Sequence, residues 1–229
     1  MKYNYKEIQK WRDERINKII SKQTPLKLNS DEAILAIHLI PYSFNDLNTN
    51  ADFNKLKTHK EYFLPINLDG ALKKLSIENY IDNYDGYVLH STKGENEIYR
   101  AYTQIFRSGA IESVESTSVP PLDHQQGING IISIKKINDW IVKHGKEYID
   151  GLNKSEVSIP VVMSVSLLNT KNYGIGLGYD RVSIIVQEER LIFTEIVFKN
   201  LSISENNYKE LIKPLLDHLA NTVGQEYIN

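Results

Sequence analysis

Residues Ala33-Ile34-Leu35-Ala36-Ile37-His38-Leu39-Ile40 form an unbroken apolar run that stops at Pro41. The run is too short for an ordinary helix and rich in branched side chains, which predicts a buried strand. Such a strand needs paired neighbours and cover, and the rest of the chain has to supply both. Val157–Leu168 is a second strongly apolar run and predicts a second strand. With 41% hydrophobic residues among 229, the chain holds enough apolar material for a core around them.

The neighbours are readable in turn signals and alternation. Tyr84–His90 enters a strand through Asp85-Gly86. From Ile98 to Ser113, Tyr99, Ala101, Thr103 and Ile105 alternate with Arg100, Tyr102, Gln104 and Phe106. The two segments together predict an antiparallel hairpin. Ser108-Gly109 marks a turn or bulge before a further strand at Ala110–Val114. Val182–Val186 and Leu191–Phe198 supply two more segments.

Three helices carry a 3.6-residue period. Over Tyr5–Ile20, Tyr5, Ile8, Ile16, Ile19 and Ile20 share one face, with Trp11 at its edge. Arg12, Asp13, Glu14, Arg15 and Lys18 are expected mostly on the solvated side, as paired charges. Ser133 caps the second helix, whose stripe is Ile134, Ile137, Trp140, Ile141, His144 and Tyr148, with Gly151 and Asn153 at its end. Ser204 caps the third, with Tyr208, Leu211, Ile212, Leu215, Leu216 and Leu219 inward. Pro214 should kink that helix or mark its true start.

Between these elements, 43–64 is polar and aperiodic. Its alternating Asp46, Asn48, Asn50 and Asp52 lack the glycine and terminal glutamate of a calcium loop. Leu64–Leu75 predicts a loop and a short helix, and 116–130 a loop between two subhalves. The expected fold is one mixed α/β (α+β) domain over 1–229. Its sheet is largely antiparallel or mixed, with roughly six to eight strands and three principal helices packed on it. The helix within 1–22 is expected to serve as an interaction element.

Several function classes fall away. The absence of cysteine removes disulfides, thiolate metal sites and cysteine nucleophiles. No signal-peptide run opens the chain and no stretch approaches the roughly 18 apolar residues of a membrane span, so a cytoplasmic protein without membrane contact is expected. A formal net charge of -2 confines any nucleic-acid surface to a local patch. Gly174, Gly176 and Gly178 are followed by a β-rich segment rather than a helix, which argues against a phosphate cradle. Glu195 and Lys199 have the wrong spacing for a Glu-x-Lys nuclease element. No Gly-x-Ser-x-Gly elbow, Walker loop or His-Glu-x-x-His is present. No catalytic residue, metal ligand or cofactor is therefore assigned.

What remains are polar residues inside apolar strands. His38, Gln104, Arg107 and Glu112, with Tyr42 and Asp85, are the candidate lining of a pocket suited to acid–base chemistry or small-molecule sensing. For His38 the plainer reading is a core histidine bonded to a neighbour. Trp11, Arg12, Arg15, Lys18 and Lys22, with Arg100 and with Tyr102 for stacking, are candidate contacts to nucleic acid or a partner.

Motif order points further than any single motif. Trp11-Arg12-Asp13-Glu14-Arg15-Ile16 comes first, then His38-Leu39-Ile40-Pro41-Tyr42-Ser43-Phe44, then Asn83-Tyr84-Asp85-Gly86-Tyr87. Gln104, Phe106-Arg107, Gly109 and Ile111-Glu112 follow, and then Val161–Leu168 and Asp180-Arg181. Over nearly its whole length the chain resembles the C-terminal half of bacterial proteins that begin with a Schlafen-like AlbA domain and are described as DNA-binding or transcriptional-regulator proteins. Nucleic-acid binding or nuclease activity in that family is expected of the AlbA-like domain, which the resemblance does not cover. The resemblance therefore implies a fold and a style of partnership. A chain that starts where the second half starts is expected to be an accessory or sensor subunit. It would work with a protein encoded nearby in a bacterial antiviral defence or regulatory system. A nucleic-acid-binding module and an enzyme or sensor built on His38, Arg107 and Glu112 are the alternatives.

Overall fold

A computed structural model of the chain describes residues 5–29, 32–46, 51–68, 76–78, 80–92, 97–117, 127–180 and 182–224. The fold is α+β. Both long apolar runs become adjacent central strands: β1 (Ile34–Pro41) pairs antiparallel with β7 (Val161–Leu168) along its whole length. On its other edge β1 pairs with β5 (Ile111–Ser116), which pairs with β4 (Ala101–Phe106). β3 (Gly86–His90) and β2 (Ile81–Asn83) continue the antiparallel order to one edge. At the other edge, β10 (Arg190–Ile192) and β11 (Ile196–Phe198) pair with opposite ends of β7. Every residue of β1 and β7 is buried, as uninterrupted apolar strands require.

The Ser108-Gly109 signal is the β4–β5 turn. Gly109 adopts φ +82, and a Cβ there would also meet Ala51 Cβ at 2.9 Å. A second, three-stranded sheet joins β6 (Ile131–Ser133), β8 (Gly174–Gly176) and β9 (Ile184–Ile185). Gly174 and Gly176 are thus strand, with Gly178 in the bend that follows, and β8 runs parallel to β6.

The main sheet is covered on both faces. On one face lie Leu35, Ile37 and Leu39 of β1 with Met163, Val165 and Leu167 of β7. Over them pack α3 (Ile134–Lys154) and α4 (Glu205–Asn221). Both helices start where their caps predict: Ser133 Oγ accepts from Lys136 N, and Ser204 Oγ accepts from Asn207 N. At Gly145 the approach is close; a Cβ would lie 2.1 Å from Tyr208 Oη. α3 runs through Gly151, which is pressed against Phe63 and Tyr62. α4 also runs through Pro214 rather than starting there. The proline and Glu210, whose carbonyl loses its donor, both lie on the exposed side of the helix, so the lost bond is not buried in the core.

The opposite face is covered by α1 (Tyr5–Ile20), which buries Ile16 and Ile19 against Ile34, Ala36, Val114 and Leu168, and Ile8 against Ile40, Phe44 and Val162. In the polar 43–64 stretch lies α2 (Phe53–Thr58), followed by a 3-10 turn at Lys60–Tyr62. Asp52 is its N-cap, its carboxylate accepting from Asn54 N and Lys55 N. The expected loop at 116–130 and short helix at 64–75 fall largely on 118–126 and 69–75, outside the described residues. Among the described residues, no helix is long and apolar enough to cross a membrane.

Candidate functional site

Strand register places four polar side chains in one row beneath α1. Ser164 of β7 faces His38 of β1, His38 faces Glu112 of β5, and Glu112 faces Gln104 of β4. All four are buried. The helix adds Arg15, whose Nε and Nη2 each reach a Glu112 oxygen at 2.8 Å. Tyr102 Oη donates to Glu112 Oε1 at 2.7 Å, and His38 Nε2 lies 3.2 Å from Oε2. Glu112 is thus surrounded by donors. Burial by itself would raise its pKa, but the hydrogen bonds from Arg15 and His38 and their charge outweigh it and hold the carboxyl well below its usual range. Burial and the adjacent Glu112 push the Tyr102 phenol up, so it remains a donor.

Aromatic packing completes the cover. Trp11 meets His38, Phe44 and Phe106 edge-on, with centroids 5.8, 6.0 and 5.3 Å away. The Arg15 guanidinium sits 5.0 Å from the Phe106 ring centre. Nearer the start of α1, Arg12 pairs with Asp13 at 2.8 Å and with Glu195, which also accepts from Tyr5. Glu195 stands in the link between β10 and β11, so α1 is tied to the sheet at its centre and at its edge.

The expectation that Arg12 and Arg15 lie on a solvated face is corrected by these contacts: both are 7% exposed and bonded to carboxylates. Tyr102 is 0% exposed and has no face on which a base could stack. Trp11 is half-buried, Lys18 and Lys22 are exposed, and Arg100 is an exposed residue paired with Glu115. The predicted pocket is only partly assembled. His38, Gln104 and Glu112 come together, but α1 fills the space above them. Asp85 is exposed at the β2–β3 turn. Arg107 follows β4 into its turn and points away, its guanidinium 4.7 Å from the Phe53 ring centre and its Nε on Tyr84 O at 3.2 Å. Tyr42 packs beyond the end of β1, its N–H on Pro160 O at 2.9 Å.

Ser164 was not among the sequence candidates, because a serine in an apolar run carries no motif. Serine, histidine and glutamate in a row suggest a nucleophile set, but the bonds are wrong for one. Glu112 occupies His38 Nε2, and neither His38 Nδ1 nor Ser164 Oγ has a hydrogen-bond partner. No general base is therefore in contact with the hydroxyl. Beside the network, a cleft of about 330 Å³ opens between the end of α1 and the β2–β3 turn, lined by Arg15, Lys18, Gln23, Asn83, Asp85 and Gln104. Among the described residues no group of three or more histidine, aspartate or glutamate side chains is placed to hold a metal. Comparison with protein-family models, curated proteins and solved structures finds no match to this chain.

Proposed function

We propose that this protein is a non-catalytic accessory or sensor subunit that acts through a protein partner, as the resemblance to the C-terminal half of Schlafen-like AlbA-domain proteins implies. The observation that carries the reading is how the polar strand residues are used. Glu112 accepts from Arg15, Tyr102 and His38, so its charge serves to fasten α1 rather than to meet a substrate. The outer face of α1 is then the surface offered to a partner. Lys6, Lys10, Glu14 and Lys18 are exposed on it at four-residue steps, with Lys22 just past the helix end. The test is co-expression with the products of neighbouring genes and mass measurement of what co-purifies. A stable hetero-complex lost in Lys10→Glu/Lys18→Glu supports the reading; a lone monomer from every such co-expression counts against it.

The same lysines support a second reading, nucleic-acid contact. Four phosphate contacts would cost about a hundredfold in affinity between 50 and 200 mM salt. Duplex binding measured by anisotropy separates the two readings, since partner docking needs no nucleic acid.

A further inference from the structure

Glu115 lies three residues from Glu112 on β5 and faces the other side of the sheet. Its side chain is 1% exposed, and only one of its oxygens is bonded. Oε1 accepts from Arg100 Nε at 3.0 Å and from Asn67 Nδ2 at 3.4 Å, whereas the buried Oε2 has no partner. Thr117 continues the same ladder through its N–H to Ala33 O, and its Oγ1 is likewise buried without a partner. An unpaired buried polar atom is costly, and two at alternate positions on one strand face call for a reason.

Charge indicates what is missing. Burial pushes the Glu115 carboxyl up to about 8, against the opposing pull of Arg100, Asn67 and Lys136. Arg100 is at ion-pair distance, but 55% of its side chain is in water while Glu115 is dry, so burial prevails. Because Oε1 serves both donors, the proton belongs on Oε2. In electrostatic reach of the carboxyl are the Arg100 guanidinium, bonded to Oε1, and the Lys136 ammonium, the latter 4.9 Å from the Trp140 ring centre and 5.8 Å from that of Tyr179. Tyr179 is half-buried, its phenol pushed up by burial with Arg100 and Glu115 in electrostatic reach. Tyr148 is in electrostatic reach of Glu115, and Glu32 of Arg100. The first N–H groups of α3 are already used, Lys135 N on Leu177 O and Lys136 N on Ser133 Oγ, so side chains must do the work. The local balance is two cations, the hydroxyls of Tyr179 and Thr117, and the Glu32 carboxyl near Arg100.

We infer that Glu115, Arg100, Lys136 and Tyr179 form a site for a small oxyanion, a carboxylate or a phosphoryl group, which accepts a hydrogen bond from Glu115 Oε2 and is balanced by the two cations. The site is on the sheet face away from α1, so its failure leaves the partner reading untouched.

The test is calorimetric titration of the whole chain with sodium sulfate and with sodium succinate at pH 7 and pH 9, with Trp140 fluorescence as a second readout. Both anions keep their charge over that range. Saturable binding with a millimolar dissociation constant is expected at pH 7, weakening about tenfold at pH 9 as the Oε2 proton is lost. Glu115→Gln keeps a donor at that position and should bind with the pH dependence flattened; Arg100→Gln should weaken binding several-fold at pH 7. Binding of sulfate alone assigns a phosphoryl group, and binding of succinate alone a carboxylate. Three results overturn the inference: no saturation by either anion up to about 50 mM, an unchanged pH dependence in Glu115→Gln, or no effect of Arg100→Gln.

Discussion

Two glutamates on one strand show how differently the two faces of this sheet are built. Glu112 and Glu115 are both fully buried, yet one is held ionised and the other is pushed towards its neutral form. On the α1 face, Glu112 is met by a bidentate arginine, a phenol and an imidazole. On the α3 face, Glu115 has one half-solvated arginine and one amide, and an oxygen left over. Burial alone does not decide a carboxyl's charge; the number and dryness of its donors do. The same contrast separates a closed structural clamp from a buried carboxyl with unused hydrogen-bonding capacity.

The comparison can be broken most sharply at Arg15. Arg15→Ala leaves Glu112 buried without its ion partner and should cost about 3–5 kcal/mol in urea unfolding. A loss under about 1 kcal/mol would show that the clamp is not dry. Glu115→Gln should act with the opposite sign. The native carboxyl has a raised pKa, so its burial costs nothing below the unfolded value near pH 4.3, and stability falls as pH rises from there to about 8. Removing the charge should stabilise the protein by on the order of 3 kcal/mol at pH 7.5 and by almost nothing at pH 4.5. Glu112 runs the other way: its depressed pKa contributes stability above about pH 4.3 that is lost as pH falls towards the folded value. The deficit of Glu112→Gln against the wild type should therefore shrink in acid, whereas the gain of Glu115→Gln should grow towards alkaline pH. Tyr102→Phe removes one hydrogen bond to the charged Glu112 and should cost about 1.5–3 kcal/mol, read from the urea midpoint at pH 7. Smallest is Lys10→Glu/Lys18→Glu, expected within about 0.5 kcal/mol of wild type because both lysines are exposed. A larger thermal shift there would place the outer face of α1 in the folding core rather than at a docking surface.

Much of the fold was legible because it depends on local pattern. The runs at 33–40 and 157–168 became the central strands, and Ser133 and Ser204 cap the helices they precede. Asp52 carried a local signal that was read as part of a calcium-like alternation, and α2 was missed with it. Arg12 and Arg15 are more instructive. Ile8, Arg12, Arg15 and Ile19 follow the helical repeat, so spacing alone placed both arginines on the inner stripe. The assumption that charge faces water overrode it, since the compensating carboxylates lie 183 and 97 residues away in the chain. The candidate pocket residues are only partly brought together for a related reason. Which strand faces which is a matter of register, and nothing near His38 in the sequence announces Ser164 as its neighbour or shows that Arg107 turns away to Phe53.

The two ties of α1 also have a mechanical meaning. Arg12 grips Glu195 at the rim of the sheet, and Arg15, one turn later, grips Glu112 at its centre. Tension applied from the start of the helix reaches the rim contact first and the central one only after the first has given way. The helix therefore peels in sequence, like a strip held by two rivets, instead of shearing off in one step.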